Sequence, residues 1–166
     1  MVTRGIKKTP SQDPRLTIYG PNLVIIPEYK LANKDSKNKG IKLFTSTIRR
    51  GSPDYLDPKL NCHSKLHEVQ ALVQAIEAGA DEALMLDVNG FVSTCNSTNF
   101  FIVKNKVVYT STGQYCMNGI TRQKIIELCN ANHIECKEQN FSLFEVYGAD
   151  EAFVTGTFAG ITNVVS

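Results

Sequence analysis

Three short stretches of the chain carry residue types that can bind an anion or react with a carbonyl compound. Residues 118–122, Asn-Gly-Ile-Thr-Arg, are typical of a loop entering a helix, where unpaired backbone amides and the helix dipole favour a phosphate or carboxylate. Thr155, Gly156 and Thr157 follow a short apolar run and offer two hydroxyls and a close backbone approach. Lys59, in a loop ahead of a predicted helix, adds an amine able to form a Schiff base. Together they would hold a phosphate beside a reactive lysine.

Each of these stretches also has a simpler structural interpretation. Asn118 or Thr121 serves equally well as an ordinary helix cap. Clusters of Gly, Thr and Ser such as residues 155–157 are most often plain turns. Residue types and spacing alone leave both interpretations open.

The five cysteines indicate free thiols in a reducing setting. Their number is odd, no two are spaced as Cys-x-x-Cys, and no signal peptide or long apolar run precedes them. Cys62, His63, His67 and Cys95 do not match a known zinc-ligand spacing. The sequence therefore predicts a cytoplasmic protein with no bound metal and no membrane partner.

Charge is distributed unevenly along the 166 residues. Residues 1–50 hold eleven Lys and Arg against three Asp and Glu, and residues 51–166 hold seven against thirteen, for a net charge of +2. A basic arm can contact nucleic acid, but this one has no arginine cluster beyond Arg49-Arg50 and no interleaved aromatic residues. We interpret it as a solvated face or linker and expect no nucleic-acid partner.

The pattern of apolar residues predicts an α/β (α+β) body from residue 40 onward. A buried strand is expected over residues 22–26 and an exposed polar linker over residues 30–39. Helices are expected from Ser64 to Gly79, with one apolar face, and after residues 118–122, with one buried stripe. Further strands are expected at residues 41–48, 83–86, 91–93, 100–103, 107–109, 134–137 and 151–154, with hairpin turns at 87–90 and 104–106.

Four runs, in this order and spacing, closely resemble the class IV aminotransferases. They are Ala-Gly-Ala-Asp-Glu-Ala-Leu-Met-Leu-Asp-Val-Asn-Gly-Phe-Val at residues 78–92, Asn-Phe-Phe-Ile-Val at 99–103, Gly-Ile-Thr-Arg at 119–122 and Ala-Asp-Glu-Ala-Phe-Val-Thr-Gly-Thr at 149–157. These are the fold-type-IV pyridoxal-phosphate enzymes, which include branched-chain and D-amino-acid aminotransferases and aminodeoxychorismate lyase. The resemblance covers residues 40–166.

The resemblance implies a pseudo-barrel cofactor domain of mixed strands with flanking helices, in a homodimer that binds pyridoxal 5'-phosphate (PLP). Residues 1–29 are then expected to be the tail of a smaller N-terminal domain, residues 30–39 an interdomain linker, and residues 40–166 the cofactor domain, truncated at its C-terminus. The reaction implied is amino-group transfer between an amino acid and an α-keto acid, as in branched-chain aminotransferases.

The same resemblance implies roles for individual residues. Lys59 is the expected Schiff-base lysine and general acid/base, in a loop with one inserted residue, and Lys65 is its competitor at the helix start. The cofactor phosphate is expected to be held by the backbone and hydroxyl at Ile120 and Thr121 and by Thr157, and Gly119 is a further expected cofactor-binding residue.

Two positions depart from the family pattern. Thr94 stands where the family has a glutamate that pairs with the pyridine nitrogen of the cofactor, and a hydroxyl cannot supply that charge. The weaker electron sink makes a PLP-dependent lyase on the same scaffold an alternative. Phe158 follows Thr157 where branched-chain enzymes carry a small residue, so both are expected to shape the substrate pocket.

A third alternative is a shortened relative without catalytic activity, because the phosphate-clamping arginine of the family's first domain has no counterpart here.

Overall fold

The computed structural model describes residues 1–31 and 39–166, which divide into two compact units. The first is Met1–Leu31, and the second is Ala32–Ser166, described from residue 39 onward. The linker predicted over residues 30–39 falls mainly on residues 32–38, which lie outside the described residues. All residues with a predicted chemical role belong to the second unit.

The first unit has no buried residue and little regular structure. An isolated antiparallel bridge pairs Val2 with Leu23. The prediction of a buried strand over residues 22–26 is wrong, because Leu23 makes only this bridge and Ile25 and Ile26 are 77% and 82% exposed. An apolar run becomes a buried strand only where neighbouring strands pair with it, and within this unit none does.

The second unit alternates strands and helices. In chain order its elements are β1 (Leu43–Thr45), α1 (Leu66–Glu77), β2 (Glu82–Leu86), β3 (Val92–Cys95), β4 (Asn99–Lys104), β5 (Val107–Thr110), α2 (Ile120–Ala131), β6 (Cys136–Glu138), α3 (Leu143–Tyr147), β7 (Glu151–Gly156) and β8 (Gly160–Asn163). The predicted α/β (α+β) class is confirmed. Among the described residues, no helix is long and apolar enough to cross a membrane.

The strands form two mixed sheets. The smaller sheet has the order β1-β2-β3, in which β1 runs parallel and β3 antiparallel to β2. The larger sheet has the order β6-β5-β4-β7-β8, in which β5 and β6 pair in parallel and the other neighbours are antiparallel. Both predicted hairpins are present. Asn105 and Lys106 form the tip of one of them with φ of 51° and 65°, and Gly90 turns the other with φ of 88°.

Helix α1 packs on the smaller sheet through two alanines. Ala71 and Ala75 are fully buried against Ala83 and Met85 of β2. The short alanine side chains let the helix lie close to the strand. The predicted apolar face is not the one that packs, because four of its residues are between 47% and 71% exposed, namely Leu66, Val69, Val73 and Ile76.

Strand β4 runs through the middle of the larger sheet and places one phenylalanine on each face. Phe100 packs near Phe141, whereas Phe101 stacks on Phe153 of β7 with 4.8 Å between the ring centroids. Helix α2 covers the second face with its buried residues Ile125, Ile126 and Cys129. This packing fixes the start of α2 near the ends of β4 and β7.

Candidate functional site

A polar cleft of about 130 Å³ lies where four elements of the second unit begin or end. Its lining includes the end of β3 with the loop after it, the start of β4, the end of β7 and the start of α2. Sheet pairing explains why these parts meet, because Asn99 of β4 lies opposite Thr155 of β7. The lining also includes three charged residues, namely Arg50, Lys65 and Glu68.

Gly119 caps the start of α2 and needs to be glycine because of space. Its φ of −63° and ψ of 146° are open to any residue. An added Cβ atom, however, would lie 2.5 Å from the Oδ1 atom of buried Asn99. Asn99 is held there because its Nδ2 donates to the Met117 carbonyl at 2.9 Å. Among the described residues no side chain caps this helix start, and its first turn has no acidic residue, so the amides of Ile120 and Thr121 can donate to an anion.

The end of β7 contributes to the cleft lining a threonine whose hydroxyl has no partner among the described residues. Thr155 is 1% exposed, and its Oγ1 atom has no hydrogen-bond partner among the described residues. Gly156 follows it, and an added Cβ there would lie 3.3 Å from the Cγ2 atom of Thr98. A buried hydroxyl without a partner is costly unless a ligand accepts from it, and a phosphate oxygen is such an acceptor.

Thr94 lies at the end of β3, and its hydroxyl donates a hydrogen bond to the backbone nearby. The Oγ1 atom of Thr94 donates to the Thr98 carbonyl at 2.7 Å, and the side chain is 5% exposed. Next to it, burial raises the pKa of the Cys95 thiol well above its ordinary value, so this cysteine is a neutral part of the wall. Thr94 Oγ1 also accepts from Asn99 Nδ2 at 3.5 Å, so at this position the cleft is lined by an uncharged hydroxyl.

A buried charged cluster lines the cleft on the side of α1. The guanidinium of Arg50, 4% exposed, donates to Glu68 Oε1 at 2.6 Å and to the Tyr115 carbonyl at 3.1 Å. Lys65 Nζ lies 3.4 Å from Glu68 Oε2. Burial would raise the pKa of Glu68, but the hydrogen bond and the charges of Arg50 and Lys65 bring it below its ordinary value. With two cations against one carboxylate, this part of the lining favours an anion.

Burial and the neighbouring charged residues also change the pKa of His67. Burial and then the charge of Arg50 lower the pKa of this histidine, with a smaller opposing effect from Glu68. Arg50 Nη1 lies 3.3 Å from His67 Nε2. A neutral imidazole beside the guanidinium can accept from it, so His67 adds no further positive charge at neutral pH.

The predicted site residues divide into two groups. Those that line the cleft are Thr94, Gly119, Thr121 and Thr157. Of the described residues, Lys59, Ile120 and Phe158 lie outside this lining, and Ile120 and Phe158 are 72% and 53% exposed. The roles assigned to these residues stay predictions.

The two candidate lysines occupy different places. Lys59 is an exposed residue of the irregular loop before α1, where its backbone amide donates to Asp57 Oδ1 at 2.9 Å. Lys65 caps α1 and lines both the cleft and a neighbouring groove of about 470 Å³. Both cavities share Arg50 and Glu68 as well, so they adjoin at this charged cluster.

Sequence reasoning missed several residues of the cleft. In the sequence Arg50 belongs only to a weak basic cluster, and Glu68 has no predicted role. Seventeen residues separate the two, and no local sequence pattern indicates that they form an ion pair. Asn99 opens one of the family-like runs without a predicted function of its own. Its side chain becomes important only because the sheet brings it beside Gly119.

Comparison with known proteins shows where this architecture recurs. A family model described as amino-transferase class IV matches residues 1–166. Branched-chain-amino-acid aminotransferase-like protein 2 of Arabidopsis thaliana is 39% identical over 164 residues, which cover 99% of this chain and 29% of that protein. The branched-chain amino acid aminotransferase of Escherichia coli aligns with a TM-score of 0.77 at 32% identity, covering 84% of this chain and 46% of that one.

A further solved structure contains the cofactor itself. An aminotransferase from Brucella abortus, bound to PLP, aligns with a TM-score of 0.74 at 25% identity and covers 84% of this chain and 48% of that one. The chain thus spans less than a third of the Arabidopsis relative and less than half of each of these two solved chains. The similarity concerns one part of longer proteins.

Proposed function

The chain belongs to the class IV aminotransferase family, and we propose that it acts in PLP-dependent amino-group transfer between an amino acid and an α-keto acid. The observation that carries the proposal is the anion-accepting corner of the cleft. There the uncapped start of α2 lines one cavity with Thr155, whose hydroxyl has no partner among the described residues.

The residues present fit the phosphate of PLP. The backbone amides of Ile120 and Thr121, the Thr121 hydroxyl and Thr157 would hold it, as the family resemblance implies, whereas the Gly119 amide donates to the Met117 carbonyl at 2.9 Å. The Thr155 hydroxyl adds a donor, and buried Arg50 adds a nearby cation. When bound, PLP supplies an electron-accepting ring that makes the α-proton of an amino acid acidic. The residues of the chain would hold the phosphate and orient the amino acid, and a lysine Nζ atom would accept and return the α-proton.

We propose Lys59 as the lysine that bonds to the cofactor. Its motif matches the family, and a loop position gives the amine the mobile reach that covalent attachment and proton transfer require. Lys65 is closer to the cleft lining, but its ammonium already has the Glu68 carboxylate 3.4 Å away. Labelling distinguishes the two lysines.

The groove beside the cleft supports an apolar substrate side chain. Its lining includes the apolar residues Tyr55, Leu56, Leu60 and Leu66, next to Arg50 and Lys65. Apolar residues would contact an aliphatic side chain while the cations attract a carboxylate. This arrangement fits a branched-chain amino acid, the substrate class in the names of the relatives, and Thr157 and Phe158 stay the predicted contacts at the other end.

A PLP-dependent lyase is the second candidate, and Thr94 is the observation that favours it. Its hydroxyl donates to the Thr98 carbonyl, so no charge stabilises a proton on the ring nitrogen from this position. A weaker electron sink slows transamination more than reactions that need less delocalisation of negative charge.

Two broader features accompany the proposed function. We propose a homodimer, as the family resemblance implies, and the exposed apolar stripe of Leu66, Val69, Val73 and Ile76 on α1 supports an association surface. We also propose a cytoplasmic location, supported by five free cysteines, which suit a reducing compartment.

The test is to titrate purified protein with PLP, follow the absorbance of the bound cofactor, reduce with borohydride and map the labelled lysine. Label on Lys59, lost in Lys59→Ala and kept in Lys65→Ala, is the expected result. Lys124→Ala is the control, because this lysine is 66% exposed on α2 and pairs with Glu127. Label on Lys65 would overturn the lysine assignment, and no saturable PLP binding would overturn the function.

A second assay separates the two reactions. Amino transfer consumes an added α-keto acid and releases no ammonia, whereas a lyase releases product without a keto acid. Turnover of a branched-chain amino acid that depends on the keto acid is expected, and ammonia release without it would favour the lyase.

A further inference from the structure

Glu82, the first residue of β2, lies behind the cleft and holds the loop that forms one of its walls. Its Oε2 atom accepts from the Thr98 hydroxyl at 2.7 Å, and its Oε1 atom accepts from the Ser97 hydroxyl at 3.1 Å. Glu82 does not line the cleft itself, whereas Ser97 and Thr98 both do. One carboxylate therefore fixes two neighbouring side chains of the wall.

The same loop is tied to β2 through its backbone. Ala83 donates its amide to Asn96 Oδ1 at 2.8 Å, and the Asn96 amide donates to the Ala83 carbonyl at 3.0 Å. Together with Glu82, these bonds anchor residues 96–98 to the start of one strand. Four hydrogen bonds on three consecutive residues are more than a polar turn needs for its own geometry.

The orientation of Thr98 sets two other features of the cleft. Because its hydroxyl faces Glu82, its Cγ2 atom lies beside Gly156, 3.3 Å from where a Cβ would stand. Its carbonyl accepts from Thr94 Oγ1 at 2.7 Å and from the Cys95 amide at 2.9 Å. Movement of Thr98 would change both the wall next to Thr155 and the direction of the Thr94 hydroxyl.

We propose that Glu82 is a positioning residue of the cofactor cleft, whose carboxylate holds Ser97 and Thr98 so that the Thr94 hydroxyl donates to the Thr98 carbonyl and not into the cleft. The role in cofactor binding rests on the proposed function, whereas the role in holding the loop does not. Both oxygens of Glu82 accept hydrogen bonds, which is the arrangement of an ionised carboxylate. Partial burial raises the pKa of Glu82 above its ordinary value, and the hydrogen bonds from the Thr98 and Ser97 hydroxyls oppose that rise by stabilising the charged form.

The first experiment measures hydrogen exchange of residues 94–99 without PLP. Glu82→Gln, which cannot accept from both hydroxyls, and Thr98→Val, which keeps the shape but lacks the hydroxyl, should each speed exchange of the Cys95 and Asn96 amides about tenfold, the effect of losing one hydrogen bond. Thr98→Ser keeps the hydroxyl and should exchange as the wild type does. Glu77→Gln, at the exposed end of α1, controls for the lost charge.

The second experiment measures PLP affinity and the absorption band of the bound cofactor in the same variants. Glu82→Gln and Thr98→Val should bind about tenfold more weakly and shift the band, and the double variant should lose no more than Glu82→Gln alone, because both substitutions remove the hydrogen bond between Glu82 and Thr98. Thr98→Ser should keep the wild-type band. A purely structural contribution would lower the melting temperature without moving the band.

The two experiments distinguish failure of the positioning role of Glu82 from failure of the proposed function. Wild-type loop exchange in Glu82→Gln or Thr98→Val would overturn the proposal, and so would faster exchange with unchanged PLP affinity and band. Should Glu82→Gln fail to fold, Thr98→Val removes the same bond from the other side and decides alone. If the wild type binds no PLP, the proposed function fails, while the exchange experiment still decides whether Glu82 holds the loop.

Discussion

Replacing Thr155 by valine keeps the shape of the side chain and removes one hydroxyl, and it should raise the stability of the free chain while lowering its affinity for PLP. The residue is 1% exposed and its Oγ1 atom has no partner among the described residues. An unsatisfied buried polar atom costs about 1–3 kcal/mol, so we expect a gain of about 1 kcal/mol in the free energy of unfolding. That gain corresponds to a rise of roughly 3 °C in Tm.

The affinity should move in the opposite direction. A hydrogen bond to a charged phosphate is worth about 1.5–3 kcal/mol, so its loss weakens PLP binding by roughly 10- to 150-fold. A substitution that raises the free energy of unfolding but weakens PLP binding identifies a residue that serves ligand binding at a cost in stability. A residue that serves only the fold would lower the free energy of unfolding when replaced. Thermal unfolding followed by circular dichroism measures the first quantity, and absorbance titration with PLP measures the second.

Thr110 provides the matched control. It is also 1% exposed, but its hydroxyl donates to the Phe100 carbonyl at 2.8 Å. Thr110→Val should therefore destabilise the chain by about 1–2 kcal/mol and leave PLP affinity unchanged below its melting temperature. A destabilised Thr155→Val would show that the Thr155 hydroxyl has a partner in the free chain. Wild-type affinity in that variant would place the phosphate elsewhere.

Two further predictions concern the start of α2 and the charged cluster. Gly119→Ala should lower Tm and weaken PLP binding by about tenfold or more, since the added Cβ would meet Asn99 Oδ1 at 2.5 Å and the buried amide would lose hydrogen bonds. Gly51→Ala, with no atom within 4 Å of the added Cβ, should leave Tm unchanged. The pKa of Glu68 lies below its ordinary value of 4.5, because Arg50 outweighs the effect of burial. Its contribution to stability is therefore present above pH 4.5 and lost as the pH falls through the lowered pKa, and Glu68→Gln should remove that acid dependence in denaturant unfolding measured from pH 7 to pH 3.

Local patterns were predicted well from the sequence because they depend on neighbouring residues. Lys104-Asn105-Lys106 forms the expected hairpin turn, and Gly90 turns the other expected hairpin with φ of 88°. The wrong prediction for residues 22–26 has the opposite origin. Whether an apolar run becomes a buried strand depends on partners elsewhere in the chain, which the run itself does not encode.

The sequence by itself determined the family and the residue types of the proposed anion site, because Gly-Ile-Thr-Arg and Thr-Gly-Thr are contiguous motifs with local conformations. Only the tertiary structure decided which side chains surround them. Arg50 meets Glu68, and Glu82 reaches Thr98, through sheet pairing and packing that join distant parts of the chain. The reason is physical: backbone turns and caps are set within a few residues, whereas burial and ion pairing depend on the register of strands far apart in sequence.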